Sequence, residues 1–230
     1  MKSVLVWDWP LRIFHWSLAV LVIAAAVTAN VGGNAMDWHG RIGVAIAGLL
    51  GFRVAWGVIG STHARFADFL PWPGALLAYL RGEWRGLGHN PLGALSVLAM
   101  LSALAAQVAV GLFANDDIAF NGPLYPLVSK ETSDALTAWH HRGIWLIGLL
   151  VAAHLGAIAF YARVKGDNLV KPMLSGVKLT DDAQAESARG GGPLALMLAL
   201  LIGCGVAWVA AGGLLTPPAP PAAVEVTPAW

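Results

Sequence analysis

The chain has 230 residues, 57% hydrophobic and only 12% charged, with a formal net charge of +1 and a mean hydropathy of +0.66. That balance excludes an ordinary soluble domain and points to a membrane protein; no basic cluster offers a surface for nucleic acid. The single cysteine, Cys204, excludes an intrachain disulfide, a cysteine-rich zinc site and covalent c-type haem attachment.

Residues 1–10 are short and polar-aromatic, and an apolar run follows from Leu11 to about Val31. Lys2 and the small residues Val27, Thr28 and Ala29 imitate a secretory signal. Asp8, Pro10, Arg12 and His15 crowd the part where a signal is plainly apolar, so the run reads as a retained first membrane helix. A Gly/Asn turn over Val31–Asp37 leads to a second helix from about Trp38 to Ile59. Gly60–Asn90 is a long loop. Within it, Pro73–Trp84 carries Leu76, Leu77, Leu80 and Trp84 at helical spacing, with Arg81, Glu83 and Arg85 at the end, and predicts a short amphipathic helix on the membrane surface. Pro91–Phe113 is the third membrane helix. Asn115–Asp134 is a second long loop, turning at Asn121-Gly122-Pro123. Trp139–Tyr161 is the fourth helix, Ala162–Gly192 a polar stretch, Pro193–Leu215 a fifth apolar segment, and a Pro/Ala tail starts at Thr216.

The expected fold is therefore all-α: a four-helix transmembrane bundle over residues 1–175, a cytoplasmic linker over 176–192, a fifth transmembrane helix over 193–215 and a tail over 216–230. Most of the eleven tryptophans fall near the ends of apolar runs, as an interfacial belt in membrane lipid requires. With the N-terminus inside, eleven of the fourteen Lys and Arg residues are inside and only Arg41, Lys130 and Arg142 outside. The positive-inside rule then sets a cytoplasmic N-terminus and a periplasmic C-terminus in a bacterial inner membrane.

Four histidines stand out against this background. His140 and His154 lie fourteen residues apart on the fourth helix. At about 100° and 1.5 Å per residue their imidazoles share a face, roughly 40° and 21 Å apart. His141 falls off that face. His15 lies about one turn into the first helix, near the inner side, and His39 opens the second at the outer side. Depth therefore pairs His39 with His140 outside and His15 with His154 inside. Facing imidazoles across a helical bundle suit bis-histidine b haems, one per pair. Zinc needs four ligands at one point, which pairs so far apart do not provide. Gly43 and Gly143, beside the outer histidines, clear space for a flat porphyrin. Arg12, Arg41 and Arg142 stand near the histidines and suit either haem propionates or interfacial anchoring. Gln107 reads as a hydrogen-bonding link to a neighbouring helix. His63 and His89 read as solvated loop or helix-start residues.

The stretches Arg12-Ile-Phe-His15-Trp16, Trp38-His39-Gly-Arg-Ile-Gly43 and Gly88-His-Asn-Pro-Leu-Gly93, together with His140 and His154, resemble the bacterial cytochrome b561 family, which includes the b-type cytochrome subunits of nickel–iron hydrogenases. The resemblance covers about residues 4–175. It implies a four-helix bundle with two b haems ligated by His15, His39, His140 and His154, passing electrons between the quinone pool and a partner. Residues 176–230 have no counterpart in the minimal form.

Three functions follow as expectations. The first is electron transfer between quinone and a periplasmic c-type cytochrome or redox subunit, such as a hydrogenase that the chain would anchor. The acidic outer residues Asp37, Asp116, Asp117, Glu131, Asp134 and Glu225 would steer a basic partner. The second is superoxide:quinone oxidoreduction at an outer haem approached past Arg41, Arg142 and Lys130. The third is a non-redox membrane anchor, which leaves the intramembrane histidines unexplained.

Overall fold

Asp8 knots together the end of the molecule where the chain begins. In a computed structural model that describes residues 2–84 and 86–216, its Oδ1 accepts from the Leu11 backbone N–H at 2.7 Å and caps α1 (Trp9–Val31). Pro10 sits in the first turn, where a missing N–H costs nothing. Asp8 Oδ2 accepts from Trp56 Nε1 at 3.0 Å and from the Ser61 hydroxyl. One carboxylate thus fixes the start of α1 against the end of α2 (Ala35–Ile59). Around it Val6, Trp7, Leu11, Phe14, Phe52 and Trp56 form the main buried cluster.

Two short helices follow, α3 (Phe66–Phe69) and α4 (Pro73–Leu80). α4 ends earlier than the Pro73–Trp84 expectation because Gly82 takes a positive φ of 77° just beyond it. Arg85 lies outside the described residues. α5 (Pro91–Gly111) opens on Asn90, whose side chain caps Gly93 N–H at 2.8 Å.

α6 (Lys130–Phe160) begins nine residues before the expected Trp139. Ser129 caps it, accepting from Thr132 N–H at 3.3 Å, and a single wider π-turn, Tyr161–Lys165, ends it. The added turns are held by Asn115, which donates to the buried Ser133 hydroxyl at 2.7 Å; Ser133 in turn donates to Phe113 O at 2.7 Å.

The polar stretch after α6 is folded rather than a simple linker. It contains α7 (Val170–Ser175) and β2 (Val177–Thr180), and β2 pairs antiparallel with β1 (Lys2–Leu5), Lys2 opposite Thr180. Gly176 makes the turn from α7 into β2 at φ 84°, and its carbonyl accepts from Val6 N–H at 2.8 Å. This two-stranded ribbon caps the N-terminal face of the bundle.

α8 (Pro193–Ala210) lies along α2. The contact is built on small residues. A methyl group added at Gly48 would meet Ala207 Cβ at 3.0 Å, and one at Gly203 would meet Gly48 O at 2.9 Å. Missing side chains let two apolar helices approach where lipid supplies no hydrophobic drive. The fifth helix is therefore part of the bundle. Residues 217–230, which hold Glu225 and nearly all of the Pro/Ala tail, lie outside the described residues.

Among the described residues five helices, α1, α2, α5, α6 with its π-turn, and α8, are long and apolar enough to cross a membrane. This is a multi-pass helical membrane protein. α1 packs on α2, α5 on α6, and α2 touches α5; among the described residues α6 has no comparably close backbone approach to α1 or α2.

Replacing Asp8 by Ala removes a helix cap and two further bonds to a charged acceptor. It is expected to destabilise the fold by about 2–4 kcal/mol, measured as earlier unfolding in detergent. Asp8→Asn should recover part of the loss through the cap.

Candidate cofactor site

The gaps between α6 and its neighbours α1 and α2 are where the four histidines meet. His39 on α2 faces His140 on α6, with ring centroids 5.9 Å apart. His15 on α1 faces His154 on α6 at 6.4 Å. An atom bonded to one imidazole nitrogen on each side, at about 2 Å per bond, separates ring centres by about 6 Å. Both gaps have that width. The pair near the N-terminal face, His15 and His154, is called proximal below, and His39 with His140 distal.

The distal pair is oriented by backbone. His39 Nδ1 lies 2.9 Å from Ala25 O and His140 Nδ1 3.0 Å from Gln107 O. A carbonyl only accepts, so each Nδ1 carries the proton and each Nε2 keeps its lone pair. Beside the pair is a cavity of about 550 Å³, lined by His39, Gly43, Gln107, His140, Ile147 and others. That is within the usual cofactor range of about 300–1,000 Å³. A methyl added at Gly43 would meet nothing within 4 Å, so Gly43 borders open space.

Gly143 sits otherwise. Gln107 fills the space where its side chain would be, and Gln107 Nε2 donates to His140 O at 2.8 Å. The glycine admits a glutamine that ties α5 to α6, so the clearance expected there for a porphyrin goes to a protein side chain. The interhelical role expected of Gln107 is what its side chain performs. Sequence reasoning passed over Gly111. A Cβ there would stand 2.6 Å from His140 Cε1, so the α5 backbone backs directly onto the imidazole. A glycine closing an apolar helix was the only available signal.

The arginines are placed variously. Arg41 and Arg142 are exposed and lie over tryptophans of their own helices, Trp38 at 5.2 Å and Trp139 at 5.7 Å. Neither lines the distal cavity, whereas the exposed His141 does. Arg12 donates to Leu174 O, and its Nε is buried without a partner.

The proximal pair has no backbone carbonyl at His15, whose Nδ1 is buried and unbonded. His63 and His89 are not solvated loop residues. The His89 ring packs between Trp7 at 4.6 Å and Phe69 at 4.7 Å, and His63 meets the edge of Trp7 at 6.5 Å. Burial is the main cause that pushes His89 down to about 3, and the nearby Arg53 charge adds to it. Burial lowers His63 as well, so His89 is neutral near pH 7 and His63 is biased the same way.

At the distal end Lys130 bridges Asp117 and Asp134, the latter at 2.9 Å. Asp116 caps the backbone N–H groups of Ile118, Ala119 and Phe120. Part of the acidic excess expected on this surface is thus neutralised within it.

The family model described as prokaryotic cytochrome b561 matches residues 6–176. The chain belongs to this family. A relative from Azotobacter vinelandii, named "Probable Ni/Fe-hydrogenase B-type cytochrome subunit", is 28% identical over 225 residues, covering 78% of this chain and 90% of its own. One of the same name from Rhizobium leguminosarum bv. viciae is 25% identical, covering 80% and 92%. The "Probable Ni/Fe-hydrogenase 1 B-type cytochrome subunit" of Escherichia coli strain K12 is 21% identical, covering 75% and 89%. No solved structure matches.

Membership makes the chain a membrane cytochrome and implies b-type haem. The residues fit such a group. Two gaps hold facing imidazoles, one beside an apolar cavity and the other beside buried polar atoms that lack partners. Gly111→Leu would force the His140 ring from its position against α5. It is expected to lower the b-type haem content of purified protein, read by pyridine haemochrome, while Gly205→Leu, with nothing within 4 Å of the added Cβ, should leave it unchanged.

Proposed function

We propose that this cytochrome carries electrons across the membrane through two b haems, one held by His39 and His140 and one by His15 and His154. The observation that carries the reading is the pair of histidine-lined gaps at opposite ends of α6. Bound there, haem supplies a one-electron carrier whose potential follows its surroundings. The protein's part is to hold each imidazole neutral and aimed, to keep water out with apolar helices and to set the local charge. Ala25 O and Gln107 O do the aiming at the distal pair.

The orientation we propose puts the N-terminal face in the cytoplasm of a bacterial inner membrane and the distal pair near the periplasm, from the eleven-to-three distribution of basic residues. Quinone is the proposed membrane substrate. The partner is a periplasmic redox protein, either a c-type cytochrome or an oxidoreductase subunit. The names of the relatives favour the second form, with the chain serving as the b-type cytochrome of a hydrogenase-like complex. Hydrogen-dependent haem reduction in membranes, present with the hydrogenase and absent without it, would distinguish that form from a c-type cytochrome partner.

Purified protein is expected to show two b haems per chain in a reduced-minus-oxidised spectrum. His39→Ala and His15→Ala should each leave one. A folded chain that holds no haem, expressed with haem available, would refute the proposal.

A further inference from the structure

Arg53 is the most deeply buried charge described in the chain, 2% exposed on α2, and neither of its terminal nitrogens has a hydrogen-bond partner. Phe66 lies under its guanidinium at 4.5 Å, with Phe69 at 5.9 Å. The carboxylate acting on it, Asp8, already accepts from Leu11, Trp56 and Ser61. Two ring atoms in the same region also lack partners, His63 Nε2 and His89 Nδ1, as does Arg12 Nε on α1. Apart from the lone pair that each neutral imidazole keeps, the cluster offers donors and no free acceptor. A buried guanidinium whose terminal nitrogens have no partner, and whose acting carboxylate is already bonded elsewhere, is costly, so the cluster is shaped for a further anion.

Its location narrows the anion. Arg53 lies six residues before the end of α2 and His15 six residues after the start of α1, the antiparallel neighbour. At about 1.5 Å per residue both stand roughly 9 Å into the bundle from the N-terminal face. His89 is within electrostatic reach of Arg53, His63, His15 and His154 together. Arg53 therefore stands at the level of the proximal gap, with His89 within reach of both. Haem b carries two carboxylates along one edge. Guanidinium and imidazole N–H groups are strong partners for carboxylates.

We infer that Arg53, with His63 and His89, forms a carboxylate cradle for the propionates of the haem held between His15 and His154. The inference rests on the proposed two-haem function. It moves the propionate role at this end to a buried group on α2 that sequence reading counted only as an inner basic residue, and Arg12 becomes an accessory donor.

The test uses full-length protein carrying His39→Ala, so that only the proximal site is loaded. It is prepared with haem b or with haem dimethyl ester, whose propionates are neutral. Loss of the group to excess apomyoglobin is followed in detergent. Arg53→Gln is expected to speed loss of haem b on the order of tenfold or more, and Arg53→Lys to speed it less. With the ester the Arg53→Gln acceleration should vanish, because no carboxylate is left to release. His63→Phe, which keeps an aromatic ring beside Trp7, should act in the same direction and carries the test if Arg53→Gln does not fold. Equal acceleration with haem b and ester, or none with either, overturns the cradle and leaves the two-haem function standing. A folded His39→Ala chain that binds no haem overturns the two-haem reading itself, and the cradle with it.

Discussion

An imidazole set among apolar helices must be given something to bond, and that requirement orders this molecule. Water is excluded, so a ring nitrogen left bare costs on the order of 1–3 kcal/mol. The distal histidines meet half of the requirement with main-chain carbonyls from α1 and α5 and point their other nitrogen into a gap. The helices are spaced to suit. Where α1 meets α2 and α5 meets α6 the backbones are close, while α6 stands off from α1 and α2. Two closely packed helix pairs, joined through α2 and α5, thus leave gaps one atom and two rings wide. A bundle packed for its own sake would have closed those gaps.

Small residues are the means of controlling that spacing. Gly48, Gly51 and Gly203 draw α8 onto the outer face of α2. Gly111 lets α5 sit against the His140 ring, and Gly143 lets Gln107 tie α5 to α6. The same residue type closes one contact and sets the limit of another. Which it does depends on what the neighbouring helix presents, and single-chain spacing does not contain that information. This is why Gly143 was read as clearance for a cofactor when its space belongs to a glutamine.

The membrane helices were legible because long apolar runs have few alternatives, and the histidine pairing followed from depth, which helix direction and residue count supply. What escaped was non-local or lay where a helix leaves the apolar zone. Lys130–Trp139 is polar, so hydropathy ended α6 at the membrane boundary although Ser129 caps a helix that continues outward. β1 and β2 are four residues each and pair from opposite ends of the family region, with no periodic run to reveal them. His63 and His89 lie in a loop, and loops are usually solvated. Their rings pack on Trp7 and Phe69, contacts between segments far apart in the chain.

The two ends of α6 are consequently different environments for similar chemistry. At the distal pair the surroundings are carbonyls and apolar walls, fixed by backbone and hard to vary by substitution except at the glycines. At the proximal pair they are side-chain donors, chief among them a guanidinium. A lone buried cation would favour the more negative, reduced form of any carrier beside it. A cation neutralised by carboxylates leaves burial and hydrogen bonding to dominate. With haem bound at both pairs as proposed, the difference in affinity for an electron would depend in part on how completely Arg53 is neutralised. In the proposed two-haem arrangement that difference would bias where a shared electron rests, so a guanidinium on a helix carrying neither proximal histidine would act on both sites.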